Sequence, residues 1–228
     1  MKIELSNISK KYQTPGVAAV REVLKNITMT VDPGDSIAIV GPSGSGKSTL
    51  LNIMGTLDLP DSGVVNIDGK NTREMTGHEL ASFRNRKLGF VFQLHYLLPQ
   101  LSLLENVLVP VIAQSKPMRQ KAVIRAKELL ENVGLADRAS QKPGQMSVGE
   151  CQRGALVRAL INNPELILAD EPTGSLDAES AEMLGDLLVK INREKNISLV
   201  VVTHSEKLAT RMKQVYHLTG GQLTQIPR

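Results

Sequence analysis

Gly41-Pro42-Ser43-Gly44-Ser45-Gly46-Lys47-Ser48 fills every fixed position of G-x-x-x-x-G-K-[ST], the phosphate-loop pattern. A short apolar run, Ser36–Val40, precedes it and reads as a strand. Thr49–Met54 follows and reads as the start of a helix. The chemistry depends on that context. Glycines let backbone N–H groups turn inward around an anion with no Cβ in the way. The helix points its positive end at the same anion. Lys47 adds a full charge for the β- and γ-phosphates, and the Ser48 hydroxyl suits Mg²⁺. Gly41, Ser43, Gly44, Ser45, Gly46, Lys47, Ser48 and Thr49 are therefore the candidate nucleotide-binding set.

The chain has 228 residues, of which 41% are hydrophobic and 22% charged, enough for one sizeable core. Two lobes of one domain are expected rather than two independent domains. The net charge of +4 is mild and reads as a solvated basic face. Aromatics make up only 3% and there is no Trp, which argues against a reader that stacks nucleic-acid bases. The single cysteine, Cys151, allows no internal disulfide, which suits a reducing compartment, and a small buried hydrophobe is its expected role. The first residues carry no apolar signal region, and no segment approaches the ~20 apolar residues a bilayer span needs. The four histidines are not at metal-ligand spacing.

Lys2–Leu5 and Ile27–Val31 alternate as half-buried strands do, and Val64–Ile67 lies between two turns. Leu88–Phe92 is another strand candidate. Gln120–Val133 places Val123, Ala126, Leu129, Leu130 and Val133 at helical spacing, and Gly134 stops it. The region from about Leu94 to Arg153 reads as mostly helical. Leu166–Ala169 and Ser198–Val202 are apolar runs of strand length around a helix over roughly Ala178–Glu194. The expected fold is α/β: a P-loop NTPase core with a mostly parallel sheet, an antiparallel β part and a helical insert. Residues 1–93 and 154–228 are the expected core, and 94–153 the helical subdomain.

Asp170-Glu171 emerges at the end of the Leu166–Ala169 strand, the edge at which open parallel sheets bind ligands. One carboxylate can help hold Mg²⁺ and the other can polarise an attacking water.

Six elements, in order, resemble the ATP-binding subunits of ABC transporters over essentially the whole chain. Tyr12 stands where that family has an adenine-stacking aromatic, and the phosphate loop follows. Phe92-Gln93 resembles the Q-loop, and Met146-Ser147-Val148-Gly149-Glu150 occupies the place of the Leu-Ser-Gly-Gly-Gln signature. Asp170-Glu171 precedes Pro172–Asp177, which resembles the D-loop, and His204 matches the switch histidine. Phe90–Gln93, Leu97-Leu98-Pro99 and Leu104–Val107 are most similar to the lipoprotein-releasing and macrolide-export branch.

The resemblance implies ATP hydrolysis coupled to a membrane partner. Glu171 would deprotonate the attacking water, with Lys47, Gln93 and His204 completing the catalytic set; Ser48, Gln93 and Asp170 would hold Mg²⁺. Ser147, Gly149, Glu150 and Asp177 would reach the ATP of a second copy in a head-to-tail homodimer. The chain would be peripheral, on the cytoplasmic face of the inner membrane, bound to an integral permease subunit and to no nucleic acid. Leu94–Leu103 is a candidate groove for a short helix of that permease. Val148 departs from the family glycine, and a β-branched residue is strained there if the backbone is left-handed.

Other readings account for less. A GTPase or kinase would leave the signature and His204 unexplained, and no Asn-Lys-x-Asp is present. A chromosome-maintenance ATPase would carry a long heptad run between Lys47 and Asp170, and none is there. A regulator that drives a non-transport membrane partner in cell division or cell-wall remodelling remains an alternative.

Overall fold

The computed structural model describes residues 1–13 and 20–227. The chain opens with β1 (Ile3–Gln13), β2 (Val20–Val31) and β3 (Ser36–Val40), then α1 (Lys47–Met54), β4 (Ser62–Ile67) and β5 (Lys70–Asn71). Next come α2 (Gly77–Lys87), β6 (Leu88–Phe92), α3 (Leu103–Leu108), α4 (Lys116–Asn132) and α5 (Val148–Leu160). The last third alternates: β7 (Leu166–Asp170), α6 (Ala178–Lys195), β8 (Ser198–Val202), α7 (Glu206–Ala209), and the hairpin β9 (Gln214–Thr219) and β10 (Gln222–Ile226).

Two sheets form. One is antiparallel, in the order β2-β1-β4-β5, and the other runs β10-β9-β3-β8-β7-β6, parallel except for β10. The apolar runs of β3, β7 and β8 fill the middle of the second sheet because both of its faces are covered. Strand alternation assigns the two sides. Ile37, Ile39, Leu166, Leu168, Val200 and Val202 pack toward α1 and the antiparallel sheet. Ala38, Ile167, Ala169, Leu199 and Val201 pack with residues of α3, α4, α5 and α6.

Parallel neighbours end on one edge. In spatial order β3, β8, β7, β6, the residues just past the strands are Gly41, Thr203-His204, Glu171 and Gln93. Elements far apart in sequence thus deliver their polar residues to one line.

Several expected elements are longer than their apolar patterns. β1 runs on to Gln13 through register shifts between Leu5 and Lys11, and α4 starts at Lys116. α2, α7, β9 and β10 were not foreseen. Among the described residues no helix is long and apolar enough to cross a membrane.

Candidate nucleotide site

The phosphate loop folds as its glycines require. Gly41 has φ 151° and Gly46 φ 105°. A Cβ on Gly41 would lie 2.1 Å from the Leu218 carbonyl oxygen, and one on Gly46 2.7 Å from Val23 Cγ1. Neither position admits a side chain without displacing backbone or strand β2. Gly46 caps α1, so the helix opens directly under the loop. Arg21 Nη2 donates to Gly44 O at 2.8 Å and steadies the loop from outside. Ser45 Oγ is buried and makes no hydrogen bond.

Lys47 is buried, and its ammonium donates to Gly41 O at 3.0 Å and Pro42 O at 3.1 Å. Its third neighbour is His204 Nε2 at 3.2 Å. An ammonium has only donors, so Nε2 can meet Lys47 only as an acceptor. Glu171 Oε1 is also 3.2 Å from Nε2 and makes no hydrogen bond. Glu171 Oε2 accepts from the His204 amide at 3.0 Å. The glutamate thus has one oxygen anchored on the His204 amide and one, buried, without a hydrogen bond.

Glu171 has φ 46°, an uncommon backbone for a non-glycine residue, and its amide is tied to Val202 O at 2.9 Å. Beside it, Ser48 Oγ donates to Asp170 Oδ1 at 3.0 Å, which joins the head of α1 to the end of β7. A hydroxyl and a carboxylate in contact are a donor set for a hard cation. Gln93 does not join them here. Its side-chain amide nitrogen lies against Gly174, while its backbone carbonyl accepts from Ser175 Oγ at 3.1 Å.

Tyr12 stands at the rim, 44% exposed, with its hydroxyl on Asp58 Oδ2 at 2.8 Å. Lys10 Nζ reaches the same carboxylate at 2.7 Å and lies 5.3 Å from the centre of the ring. Burial and the bond to Asp58 raise the phenol pKa, so it stays a neutral donor.

The family model described as ABC transporter matches residues 24–174. The chain belongs to the ABC transporter family. It is 48% identical over 219 residues to a lipoprotein-releasing system ATP-binding protein, LolD 1, of Rhodopirellula baltica, covering 96% of this chain and 94% of that one. It is 46% identical to the LolD of Bacteroides fragilis over 97% of this chain and 99% of that one. Its backbone is similar to the cassette MJ0796, solved as a dimer in a post-hydrolysis state bound to ADP and Pi (TM-score 0.86, 38% identity, 99% of both chains). A second dimeric structure of that bacterial ABC transporter cassette gives a TM-score of 0.87 at 41% identity. The chain is an ABC ATPase, with the nucleotide-binding and hydrolytic activity of that family.

The segment expected to be the signature, Met146–Glu150, leads into α5. Ser147 is its N-cap, accepting from the Glu150 amide at 3.1 Å, and Glu150 Oε2 accepts from the Ser147 amide at 2.8 Å. The amides of Val148 and Gly149 are left at the open end of the helix. Val148 is the first helical residue, 51% exposed, with no positive φ, so the strain anticipated from its sequence does not arise. At Gly149 the constraint is close packing: a Cβ there would lie 2.6 Å from Ser180 Oγ and 3.0 Å from Ser180 Cβ of α6, so Ser180 would have to move. Glu150 differs from a free anion-contacting side chain. It closes the capping box and pairs with Arg138 Nε at 2.9 Å, and the Ser147 amide and Arg138 hold its carboxyl below the usual range.

Asp177 caps α6 through the Ser180 amide at 2.9 Å. Cys151 is buried with Sγ 3.6 Å from Pro143 O, and burial pushes its thiol pKa up. Leu94, Tyr96 and Leu98 are exposed, whereas Leu97 and Leu103 are buried.

Sequence reasoning missed the residues that hold the predicted ones. Gln152 Nε2 donates to Phe92 O at 2.6 Å, and Arg158 grips His95 O and Tyr96 O at 2.8 and 2.6 Å. Both lie on α5, so the signature helix grips the backbone on both sides of Gln93. No motif announces which carbonyl a Gln or Arg will find.

Proposed function

We propose that this ABC ATPase drives the export or extraction of lipoproteins, or of a related hydrophobic cargo, as the peripheral subunit of an inner-membrane complex. The cargo reading rests on the LolD relatives, which match nearly end to end. Two copies would close head to tail on two ATP molecules, each phosphate loop facing the other copy's Ser147 and Gly149. The integral permease subunit would receive the motion.

Mg²⁺ fits the oxygen set of Ser48 and Asp170, with Gln93 able to swing in, and when bound it neutralises charge on the β- and γ-phosphates. Lys47 would exchange the Gly41 and Pro42 carbonyls for phosphate oxygens. Tyr12 would stack on adenine with the ring face that Lys10 leaves open. His204 would hold the γ-phosphate. Glu171 Oε1 would take a proton from the attacking water as the bond from the γ-phosphorus to the ADP oxygen breaks. The buried Oε1 of Glu171, without a hydrogen bond and 3.2 Å from the His204 nitrogen that meets Lys47, carries this reading.

The test is reconstitution. Purified with its membrane partner in proteoliposomes, the chain should release a lipidated protein to a soluble acceptor on addition of Mg-ATP. ATP turnover by the complex with no release would contradict the cargo reading and favour the regulatory alternative.

A further inference from the structure

Glu171 follows the end of β7, and Pro172–Asp177 carries the chain from it to the head of α6. That span is tight. The Gly174 amide donates to Glu171 O at 3.0 Å, the Leu176 amide to Thr173 O at 3.2 Å, and Asp177 caps α6. On its other side the glutamate is held by the His204 amide, and the chain runs from there straight into α7. Ser205 caps α7 by accepting from the Leu208 amide at 3.2 Å, and its own amide donates to Thr203 Oγ1 at 3.0 Å. Glu171 is therefore tied to α6 through the chain and to α7 through a hydrogen bond.

The two helices are fastened to each other. Arg211, just past α7, donates from Nη1 to Asp186 Oδ1 at 2.9 Å and from Nη2 to Glu182 Oε1. Those carboxylates stand one turn apart on α6. Glu182 Oε2 also pairs with Lys207 of α7. The guanidinium sits close over Gly185, where a Cβ would lie 2.9 Å from Nη1 and 3.4 Å from Cδ1 of the buried Leu208. The contacts close a ring: Glu171, the Pro172–Asp177 span, α6, Arg211, α7, His204 and back to Glu171.

The ring matters for position more than for stability. The Asp186 side chain is 72% exposed and that of Lys207 74%, and ion pairs so open to water add little to the folded state. A guanidinium forked across two carboxylates nevertheless fixes direction as well as distance. A slide of α7 along α6 would pass to residue 204, and through its amide to the Glu171 carboxylate. A misplacement of about 1 Å at reacting groups can cost about 10²-fold in rate.

We infer that Arg211 is a positioning residue for the Glu171 carboxylate: by clamping α7 to α6 it sets where the His204 amide holds that side chain. It acts through His204 and Glu171. This deepens the proposed function and rests on Glu171 being the base.

The experiment measures ATP turnover, ATP affinity and melting temperature of the full chain in its membrane complex. Arg211→Met should lower kcat about three- to tenfold while ATP affinity and melting temperature stay nearly unchanged. Glu182→Gln should act in the same direction, and the double variant should lose little more than the worse single one, because both cut one contact. Gly185→Ala guards against a folding defect. Alanine favours the helix, but its Cβ displaces the guanidinium, so the melting temperature should hold or rise while kcat falls. In Glu171→Gln, single-turnover hydrolysis should be slow and indifferent to adding Arg211→Met. Normal turnover by Glu171→Gln removes the base assignment and this inference with it. With Glu171→Gln slow, an unchanged kcat in Arg211→Met and Gly185→Ala overturns the inference alone. So does a kcat that falls only in step with melting temperature, or a further Arg211→Met loss in Glu171→Gln.

Discussion

Glu171 is held in a left-handed backbone by its amide bond to Val202 O and by the grip of one carboxylate oxygen on the His204 amide. Strain of this kind, of order 1–3 kcal/mol, persists only where the surroundings over-determine it. Glu171→Gln keeps the anchoring oxygen but cannot accept the proton. Its kcat should fall by about 10²–10⁴-fold in a phosphate-release assay while ATP affinity is retained. A second residue-scale expectation concerns Glu150, an anion at a helix end meant to face phosphate. Arg138 pairs with it. Arg138→Gln should therefore raise the ATP concentration needed for pairing of two copies, read by analytical ultracentrifugation, and Glu150→Gln in the same chain should reverse the change. Val148→Gly, in contrast, should move the melting temperature little, because Val148 is exposed at the first helical position and unstrained.

The phosphate loop was legible as an element because strand, glycines and helix are contiguous, and Gly41→Ala should show why. The new Cβ would meet the Leu218 carbonyl of β9, so both stability and nucleotide binding should fall in parallel in thermal shift measurements with and without ATP. β3, β7 and β8 were equally legible, being fully covered apolar runs. α2 was not: it buries no residue, so no apolar stripe marks it, and its start depends on the capping box of Thr76 and Glu79. The β9–β10 hairpin was missed despite Gly220-Gly221, because β9 is mostly half-buried and β10 mostly exposed. In the site, the residues proposed to meet nucleotide were nameable from motifs, and the structure brings Lys47, Ser48, Asp170, Glu171 and His204 into mutual contact. The grips of Gln152 and Arg158 on the backbone around Gln93, and of Asp58 on Tyr12, were not, since they depend on tertiary approach. The α2 cap also gives a pH expectation. Hydrogen bonds from Lys70 and Thr76 lower the Glu79 carboxyl from 4.5 to about 2. A depressed carboxyl pKa stabilises above the unfolded value and loses that stabilisation as pH falls through the folded one. The urea midpoint should fall as pH drops from 4.5 to about 2, and Glu79→Gln should flatten that part of the profile.

At the scale of the whole molecule, one chain holds the loop, the acids and the histidine at one sheet edge and leaves Val148 exposed at the head of α5. On the proposed function, a second copy closes over the nucleotide of the first, and hydrolysis releases it. The most direct measurement is the solution mass of Glu171→Gln by light scattering, with Mg-ATP and then with Mg-ADP. The mass of two chains with ATP and of one with ADP is the predicted result. A single-chain mass with saturating Mg-ATP, even with the membrane partner supplied, would contradict the account.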